Sequence, residues 1–182
     1  MPVKVSVRRE EKLIGEDEFP RPDTSLENLN KLKPCFLSAA EGGTITAGNA
    51  SGINDGAALL MLASYEEARA RNLQPLVRIV SYAQHGGDPM LMGVMPIQAI
   101  QSAAEKAGWT LNSIDLFELN EAFASQSVAI VRELKLDESR VNVSGGSISL
   151  GHPIGCSGAR VLVTLIHLLL RLKKRRGLAA LC

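Results

Sequence analysis

Residues 145–160 read GGSISLGHPIGCSGAR, and this stretch decides how the chain is interpreted. It predicts an apolar strand, then a glycine-rich turn that holds His152, then the start of a helix. The glycines let the backbone approach a ligand closely, and Pro153 fixes the direction in which the chain leaves the histidine. Histidine exchanges protons near neutral pH, so the turn favours proton chemistry. An incidental histidine in a tight turn is the alternative, and the turn alone does not decide between them.

Composition points to one α/β domain, or to one domain and part of another. The chain has 182 residues, 46% hydrophobic and only 4% aromatic, with 16 glycines, which fits a core packed from aliphatic side chains. A net charge of +1 argues against a general role at nucleic acids or membrane surfaces. The basic run at 171–176 follows a long apolar stretch, where cations complement a helix carboxyl end.

Three cysteines, Cys35, Cys156 and Cys182, are an odd number without metal-ligand spacing. They indicate a reducing compartment and no metal site. The amino terminus lacks a secretory or transit pattern, and the longest apolar run, 161–170, is too short to span a bilayer. We therefore expect a soluble, intracellular chain and assign it to the cytoplasm, although a leader could lie upstream.

Hydrophobic periodicity predicts strands that alternate with helices. Strands are predicted at 3–7, 57–63, 76–83, 114–119, 141–149 and 178–182. Helices are predicted at 25–34, at 65–72, from Pro96 onward, at 121–135 and at 155–171. Loops are predicted at 9–23, 44–55 and 84–95. This alternation implies mixed α/β layers with crossover connections.

Three loops are predicted at or near strand ends, where ligands bind in open α/β sheets: 44–55, 120–124 and 151–158. Asn120 directly follows a predicted strand, and its carboxamide could hold a water or an oxyanion. A helix cap is the alternative for Asn120, and complementing the helix dipole is the alternative for Glu121.

Several motifs together resemble the thiolase family, in its short-chain acetyl-CoA acetyltransferase branch. They follow the order and spacing of that family across essentially the whole chain. The matching segments are Thr44–Gly56, Met92–Pro96, Asn120–Ala124, Gly145–Arg160 and Gly177–Cys182.

The resemblance implies a thiolase-like α/β fold of mixed sheets with buried helices, a truncated βαβαβαββ half. Residues 1–55 would form the tail of the amino-terminal half, with part of the CoA-binding loop region. Residues 56–182 would form the carboxyl-terminal domain without its last strand. The nucleophilic cysteine belongs to the first half in this family, and neither Cys35 nor Cys156 matches its setting. Met95 stands where relatives usually have glycine.

The resemblance also assigns roles to residues. Catalytic roles fall to His152, which would activate thiols and donate to the thioester oxygen, to Asn120, which would hold a water at that oxygen, and to the acid/base thiol of Cys182. Substrate-binding positions are Ala47, Ser51, Met92, Ala122 and Phe123 along the pantetheine channel, with Arg21 and Phe36 nearer the nucleotide. Without the resemblance, Met92 and Phe123 would be core residues. His85 and His167 match no catalytic motif and are interpreted as structural.

The predicted activity is formation of acetoacetyl-CoA from two acetyl-CoA molecules, or the thiolytic reverse, within a full-length thiolase of lipid metabolism. Alone, the chain is expected to be inactive. The predicted partners are these CoA thioesters, which are substrates, and further copies in a dimer or tetramer; no cofactor, nucleic acid or membrane is expected. The alternative is a catalytically dead protein that binds acyl-CoA or pairs with a complete subunit. A nucleotide-binding α/β domain is disfavoured, because the chain has no P-loop and no well-placed GxGxxG.

Overall fold

The structure is a computed structural model that describes residues 2–8 and 10–182. Within them, strands β1 to β4 span Val3–Val7, Glu10–Ile14, Leu116–Leu119 and Gly177–Ala180. Helices α1 to α6 span Leu26–Asn30, Tyr65–Ala70, Pro96–Lys106, Ala124–Glu133, Ser147–Leu150 and Ile154–Arg171. Shorter 3₁₀ helices span Ala39–Glu41, Pro89–Val94, Leu111–Ser113 and Glu138–Arg140. The mixed α/β class predicted from the sequence is confirmed.

The central pairing joins β3 and β4 in parallel, with Leu116 opposite Gly177 and Leu119 opposite Ala180. Parallel neighbours need a long crossover, and α4, α5 and α6 supply it here. The carboxyl ends of both strands therefore lie at one edge of the sheet. Asn120, directly after β3, donates its backbone N–H to the Ala180 carbonyl at 2.9 Å.

Strand β3 is buried on both faces, and its side chains alternate between two clusters. Phe117 and Leu119 face a core that includes Ile100 of α3 and Ile130 of α4. Leu116 faces the buried stripe of α6, formed by Leu165, Leu168 and Leu169. By the same alternation Glu118 points toward α6, where only 1% of the residue is exposed.

Helix α6 is the main structural support of the turn that holds His152. Its buried positions include Ser157, Val161, Leu165 and Leu168, which repeat at helical spacing. With 18 residues and a mean hydropathy of 1.5, this helix is long and apolar enough to cross a membrane by length and composition alone. The helix is thus longer than the apolar run 161–170, which, taken alone from the sequence, is too short to span a bilayer. Packing of α6 against β3 and β4 accounts for its apolar face.

The strands predicted at 57–63 and 76–83 are wrong in the described structure. Both segments are irregular, and large side chains within them, such as Leu59 and Met61, are more than 80% exposed. A strand exists only through hydrogen bonds to a neighbour, and the part of the chain described here offers these segments none. Both segments are rich in apolar residues, as a buried strand would be, but this composition does not specify a pairing partner.

Two further predictions need correction. The predicted loop at 9–23 contains β2, which pairs antiparallel with β1 through a turn at Arg8 with φ 51°; Arg9 itself lies outside the described residues. The strand predicted at 141–149 is reduced to one bridge between Val141 and Phe117. Gly145, at φ +87°, turns the chain away, and α5 follows. The remaining predicted strands and helices are present with shifted ends.

Candidate active site

The structure brings together two of the three predicted catalytic side chains. Asn120 follows β3, and His152 lies in the turn between α5 and α6. Asn120 Nδ2 is 3.3 Å from His152 Nε2. Asn120 is buried, and His152 is partly buried. Asn120 does not cap a helix, because α4 begins only at Ala124.

Hydrogen bonding fixes which nitrogen of His152 carries the proton. Ser157 Oγ lies 2.6 Å from His152 Nδ1 and also donates to the Pro153 carbonyl at 3.0 Å. A hydroxyl has a single hydrogen, so Ser157 must accept from the Nδ1–H. The lone pair of neutral His152 is then on Nε2, where the Asn120 amide donates to it.

The amide of Asn120 is held in the matching orientation by Ser147. Ser147 Oγ, fully buried, donates to Asn120 Oδ1 at 2.7 Å, which leaves Nδ2 as the atom that faces His152. Arg160 Nη2 donates in turn to Ser147 Oγ at 3.0 Å. Sequence reasoning missed Ser147 and Arg160, because each is separated in sequence from its partner by at least 13 residues.

The environment keeps His152 neutral. Burial lowers the pKa of His152, and the positive charge of Arg160 lowers it further. A neutral imidazole at pH 7, with Nδ1–H committed to Ser157, has Nε2 available as a proton acceptor. The pair can therefore take a proton at Nε2 and hold a donor, Asn120 Nδ2, beside it.

The loop at 44–55 passes between the Asn120 and His152 segments. Ser51 donates its backbone N–H to the Ala122 carbonyl at 3.1 Å, and Ala50 forms a bridge with Phe123. The structure thus places Ser51, Ala122 and Phe123 side by side, next to Asn120.

Asn54, in the same loop, holds the His152 turn and was missed by sequence reasoning. Its Oδ1 accepts the His152 backbone N–H at 3.1 Å. Gly151, at φ +103°, packs so tightly on this amide that an added Cβ would lie 2.7 Å from Asn54 Cγ. A glycine is therefore required before the histidine, for both its backbone angle and the space.

Glu121 holds the turn that precedes α5, at residues 142–146, rather than complementing the dipole of α4. Its two carboxylate oxygens accept from Asn142 Nδ2 at 3.0 Å and from the Ile148 backbone N–H at 3.1 Å. Gly146 lies against this carboxylate, and a Cβ there would be 2.2 Å from Glu121 Cδ. The segment containing Ser147 is thereby fixed to the end of β3.

Met92 lies in the 3₁₀ helix Pro89–Val94, which packs against α4. Its side chain is exposed, while the neighbouring Gly93 contacts Gln126, whose Nε2 donates to the Asn120 carbonyl at 3.4 Å. Met92 is therefore near the site by its backbone. The sulfur of Met95 lies beside Gly87.

Three predicted binding residues are not brought to the His152 pair. Arg21, Phe36 and Ala47 are exposed, and no hydrogen bond or strand bridge among the described residues joins them to Asn120 or His152. Their predicted roles near the nucleotide and in the pantetheine channel remain predictions. His85 and His167 are also exposed, and no hydrogen bond of the described residues joins them to Asn120 or His152.

Cys182 follows β4 at the same sheet edge as Asn120, since the two strands are parallel. Partial desolvation of its sulfur raises the pKa of the thiol, although the residue as a whole is exposed. Within the described residues, no hydrogen bond joins Cys182 to His152. The three cysteines are all free.

A cleft of about 410 Å³ lies on the other side of the His152 turn, between residues 54–58 and the start of α6. Cys156 lines it, half-buried. The described residues contain no cluster of three or more histidine, cysteine, aspartate or glutamate side chains placed to hold a metal ion.

Comparison with known proteins gives a consistent result. The family model described as thiolase, C-terminal domain, matches residues 73–182, and the one described as thiolase, N-terminal domain, matches residues 1–66. The chain is 54% identical to the cytosolic acetyl-CoA acetyltransferase of Mus musculus and 53% identical to the acetyl-CoA acetyltransferase of Pseudomonas aeruginosa. All of this chain is matched in both cases, but only 46% of each relative.

Solved structures agree with these relatives. The acetyl-CoA acetyltransferase of Bacillus anthracis matches with a TM-score of 0.92 and 49% identity, over 100% of this chain and 45% of its own. A human mitochondrial 3-ketoacyl-CoA thiolase in complex with CoA matches with a TM-score of 0.84 and 41% identity, over 98% of this chain and 44% of its own. The chain therefore spans about half the length of the relatives it matches.

Proposed function

The chain belongs to the thiolase family, and from that premise we propose that it supplies the acid/base and oxyanion half of an acetyl-CoA acetyltransferase site. The reaction would join the C2 carbon of one acetyl-CoA to the acyl carbon of another and release one CoA. The thiolytic reverse would cleave acetoacetyl-CoA with CoA. Coenzyme A thioesters are substrates here, and no resident cofactor is invoked.

The observation that carries the proposal is the fixed protonation of His152 opposite Asn120. With Nδ1–H given to Ser157, His152 first acts as a base: Nε2 takes the proton of a thiol and leaves a thiolate. The resulting imidazolium then has an N–H at Nε2 to donate to the thioester oxygen. Asn120 Nδ2, directly or through a water, donates to the same oxygen as negative charge develops there.

Two thiols are needed for this chemistry, and the chain supplies one. We assign this role to Cys182, because it follows β4 at the sheet edge where Asn120 follows β3, and its raised pKa keeps the thiol protonated at rest. We assign the acylated nucleophile to the part of the relatives that this chain does not match. Neither Cys35, exposed and next to Pro34, nor Cys156, facing the cleft, is hydrogen-bonded to His152 among the described residues.

The CoA arm would lie along the loop at 44–55. Ser51 and Ala122 are already joined there, with Phe123 beside them. We place the pantetheine between these residues, Ala47 and Met92, and the nucleotide nearer Arg21 and Phe36. A solved relative in complex with CoA supports this substrate class.

The relatives also suggest the cellular location, the metabolic role and the assembly of the complete protein. The relatives from mouse and rat are named cytosolic acetyl-CoA acetyltransferases, so we propose the cytoplasm and lipid metabolism for this chain. We further propose that the complete protein forms a dimer or tetramer. A protein that binds acyl-CoA without turning it over is the second candidate, because no thiol of the chain is hydrogen-bonded to His152 in the described residues.

A chimera tests the proposal. The 182 residues replace the matched stretch of the Pseudomonas aeruginosa relative, which supplies the rest of the site. We expect the purified chimera to cleave acetoacetyl-CoA with CoA, and the isolated chain to show no activity, since it lacks the acylated thiol. A folded chimera that binds CoA without turnover would support the second candidate. Cleavage by the isolated chain at a near-normal rate would refute the assignment of the nucleophile.

A further inference from the structure

A series of hydrogen bonds with a single direction crosses the site, and it begins at a residue that the proposed function does not use. Arg160 can only donate, so Ser147 Oγ must accept from it and give its one hydrogen to Asn120. Asn120 Nδ2 then donates to His152 Nε2, and His152 Nδ1 donates to Ser157. All of these bonds run in the same direction, and Ser157 completes the series by donating to the Pro153 carbonyl.

Arg160 is placed for this task by α6 and by a buried carboxylate. It lies on the same helix as Ser157 and within 4.0 Å of Glu118 of β3. Glu118 is buried, and its Oε1 has no hydrogen-bond partner among the described residues. The cost of removing Glu118 and Arg160 from water offsets the attraction between their charges, so this buried pair adds little to the stability of the fold. Its effect is to hold the Arg160 side chain in place.

We propose that Arg160 and Ser147 are positioning residues that keep the Asn120 Nδ2 donor on His152 Nε2, the nitrogen that Ser157 leaves unprotonated, and so hold the imidazole neutral. Without the Arg160 donor, the Ser147 hydroxyl can turn, and Asn120 is free to present Oδ1 to His152 instead of Nδ2. An Oδ1 at that place favours an N–H on Nε2 in addition to the Nδ1–H that Ser157 accepts, so it would stabilise the charged imidazolium. This inference rests on the proposed function for its relevance, but its measurable effect does not require turnover.

The pKa of His152 reports the arrangement. A donor at Nε2 stabilises the neutral ring, whereas an acceptor there stabilises the imidazolium. Charged or titratable groups near His152 are Arg160 from α6, Glu118 and Glu121 from the end of β3, and Asp55 from the loop, with the thiols of Cys156 and Cys182. Ser147→Ala changes none of these charges, so a shift of the His152 pKa in that variant isolates the hydrogen bond.

The test measures hydrogen exchange at the imidazole Cε1 by mass spectrometry across pH, in the chimera. Trypsin releases residues 141–160 as one peptide with His152 as its only histidine. We expect the His152 pKa to rise by about half a unit or more in Ser147→Ala and in Arg160→Met. In the Arg160 variant the tryptic peptide extends to Arg171 and also contains His167, so fragmentation is used to assign the exchange to His152.

A second arginine–serine pair provides the control. Arg171 lies on α6 like Arg160, and Ser144 lies three residues before Ser147. Arg171 Nη2 donates to Ser144 Oγ at 3.0 Å, and neither residue is hydrogen-bonded to Asn120 in the described part of the chain. Arg171→Met and Ser144→Ala should leave the His152 pKa unchanged. If the chimera is active, Ser147→Ala should lower kcat about tenfold or more with a smaller change in KM.

An unchanged His152 pKa in folded Ser147→Ala overturns the inference, whatever the activity. Should that variant fail to fold, Ser147→Cys, which retains a weaker donor and also changes no arginine or carboxylate charge, decides the question by the same measurement. A raised pKa in an inactive chimera would keep the inference and reject the proposed function, so the two failures are distinguishable.

Discussion

At the scale of single residues, the proposed chemistry depends on His152 and Cys182. We expect His152→Ala and Cys182→Ala each to lower the kcat of the chimera at least about a hundredfold, as removal of acid/base or oxyanion groups generally does. Steady-state thiolysis of acetoacetyl-CoA provides the measurement. His167→Ala, on the exposed side of α6, is the matched control and should keep the parent rate. Retention of near-parent kcat by His152→Ala would remove this turn from the mechanism.

Ser51 is expected to act on binding rather than on chemistry. Its backbone N–H is bound to the Ala122 carbonyl, and no hydrogen bond of the described residues joins it to the His152 ring nitrogens. Ser51→Ala in the chimera should raise the KM for CoA while kcat changes little, because only uniform binding is lost. A fall in kcat with unchanged KM would place Ser51 among the groups that act in the transition state.

The residue scale also shows what the sequence could and could not predict. Asn120 was found because it directly follows a strand, and His152 was found because it lies in a glycine-rich turn that opens a helix, although the strand predicted before that turn is absent. Ser147, Asn54 and Glu121 were missed as supports, because their partners are 21 to 98 residues away in sequence. No local pattern encodes such a distance.

At the scale of elements, the turn before α5 is the most sensitive to added volume. Gly146→Ala puts a methyl group against the Glu121 carboxylate, which is itself held by two donors and cannot move freely. We expect a loss of about 1–3 kcal/mol in the free energy of unfolding, measured by denaturant unfolding of the chimera. Gly155→Ala, in the first turn of α6 with open space around it, is the control and should be neutral or slightly stabilising. Equal stability of the two variants would contradict the role given to Glu121.

Strand β3 should make stability depend on pH through Glu118. Burial raises the pKa of Glu118 to about 7, against the attraction of Arg160. A raised pKa in the folded state contributes stability at pH values below the unfolded pKa of about 4.5, and this contribution is lost as the pH rises through about 7. The Tm of the chimera should therefore fall between about pH 5 and 7.5 by an amount that Glu118→Gln removes. An identical pH dependence in parent and variant would show that Glu118 titrates normally.

Element prediction succeeded where local periodicity carries the information. Helix α6 was predicted almost to its ends, since apolar residues recur at helical spacing along its buried face. The strand predictions at 57–63 and 76–83 were wrong, because an apolar run contains no information about which strand would pair with it.

At the scale of the whole molecule, the exposed apolar segments predict how the isolated chain behaves. Leu59, Met61, Leu76 and Ile79 are all more than half exposed. Exposed large apolar side chains promote association. We expect the isolated chain to aggregate or remain partly folded on size-exclusion chromatography and thermal denaturation, and the chimera to run as a discrete species. A monodisperse isolated chain with one sharp transition would contradict this. The division of the chain at residues 55 and 56 stays a prediction.

The pairing of β3 with β4 also has a consequence for synthesis. The two strands are joined near their starts by bonds between Asp115 and the backbone of Arg175 and Arg176, about 60 residues later in sequence. At a translation rate of about 5–20 residues per second, β3 waits roughly 3–12 s for its partner after it has been made. During that interval the edge of β3 that pairs with β4 has no partner. The nascent chain therefore exposes apolar side chains of β3, which are buried in the folded protein, to chaperones at the ribosome.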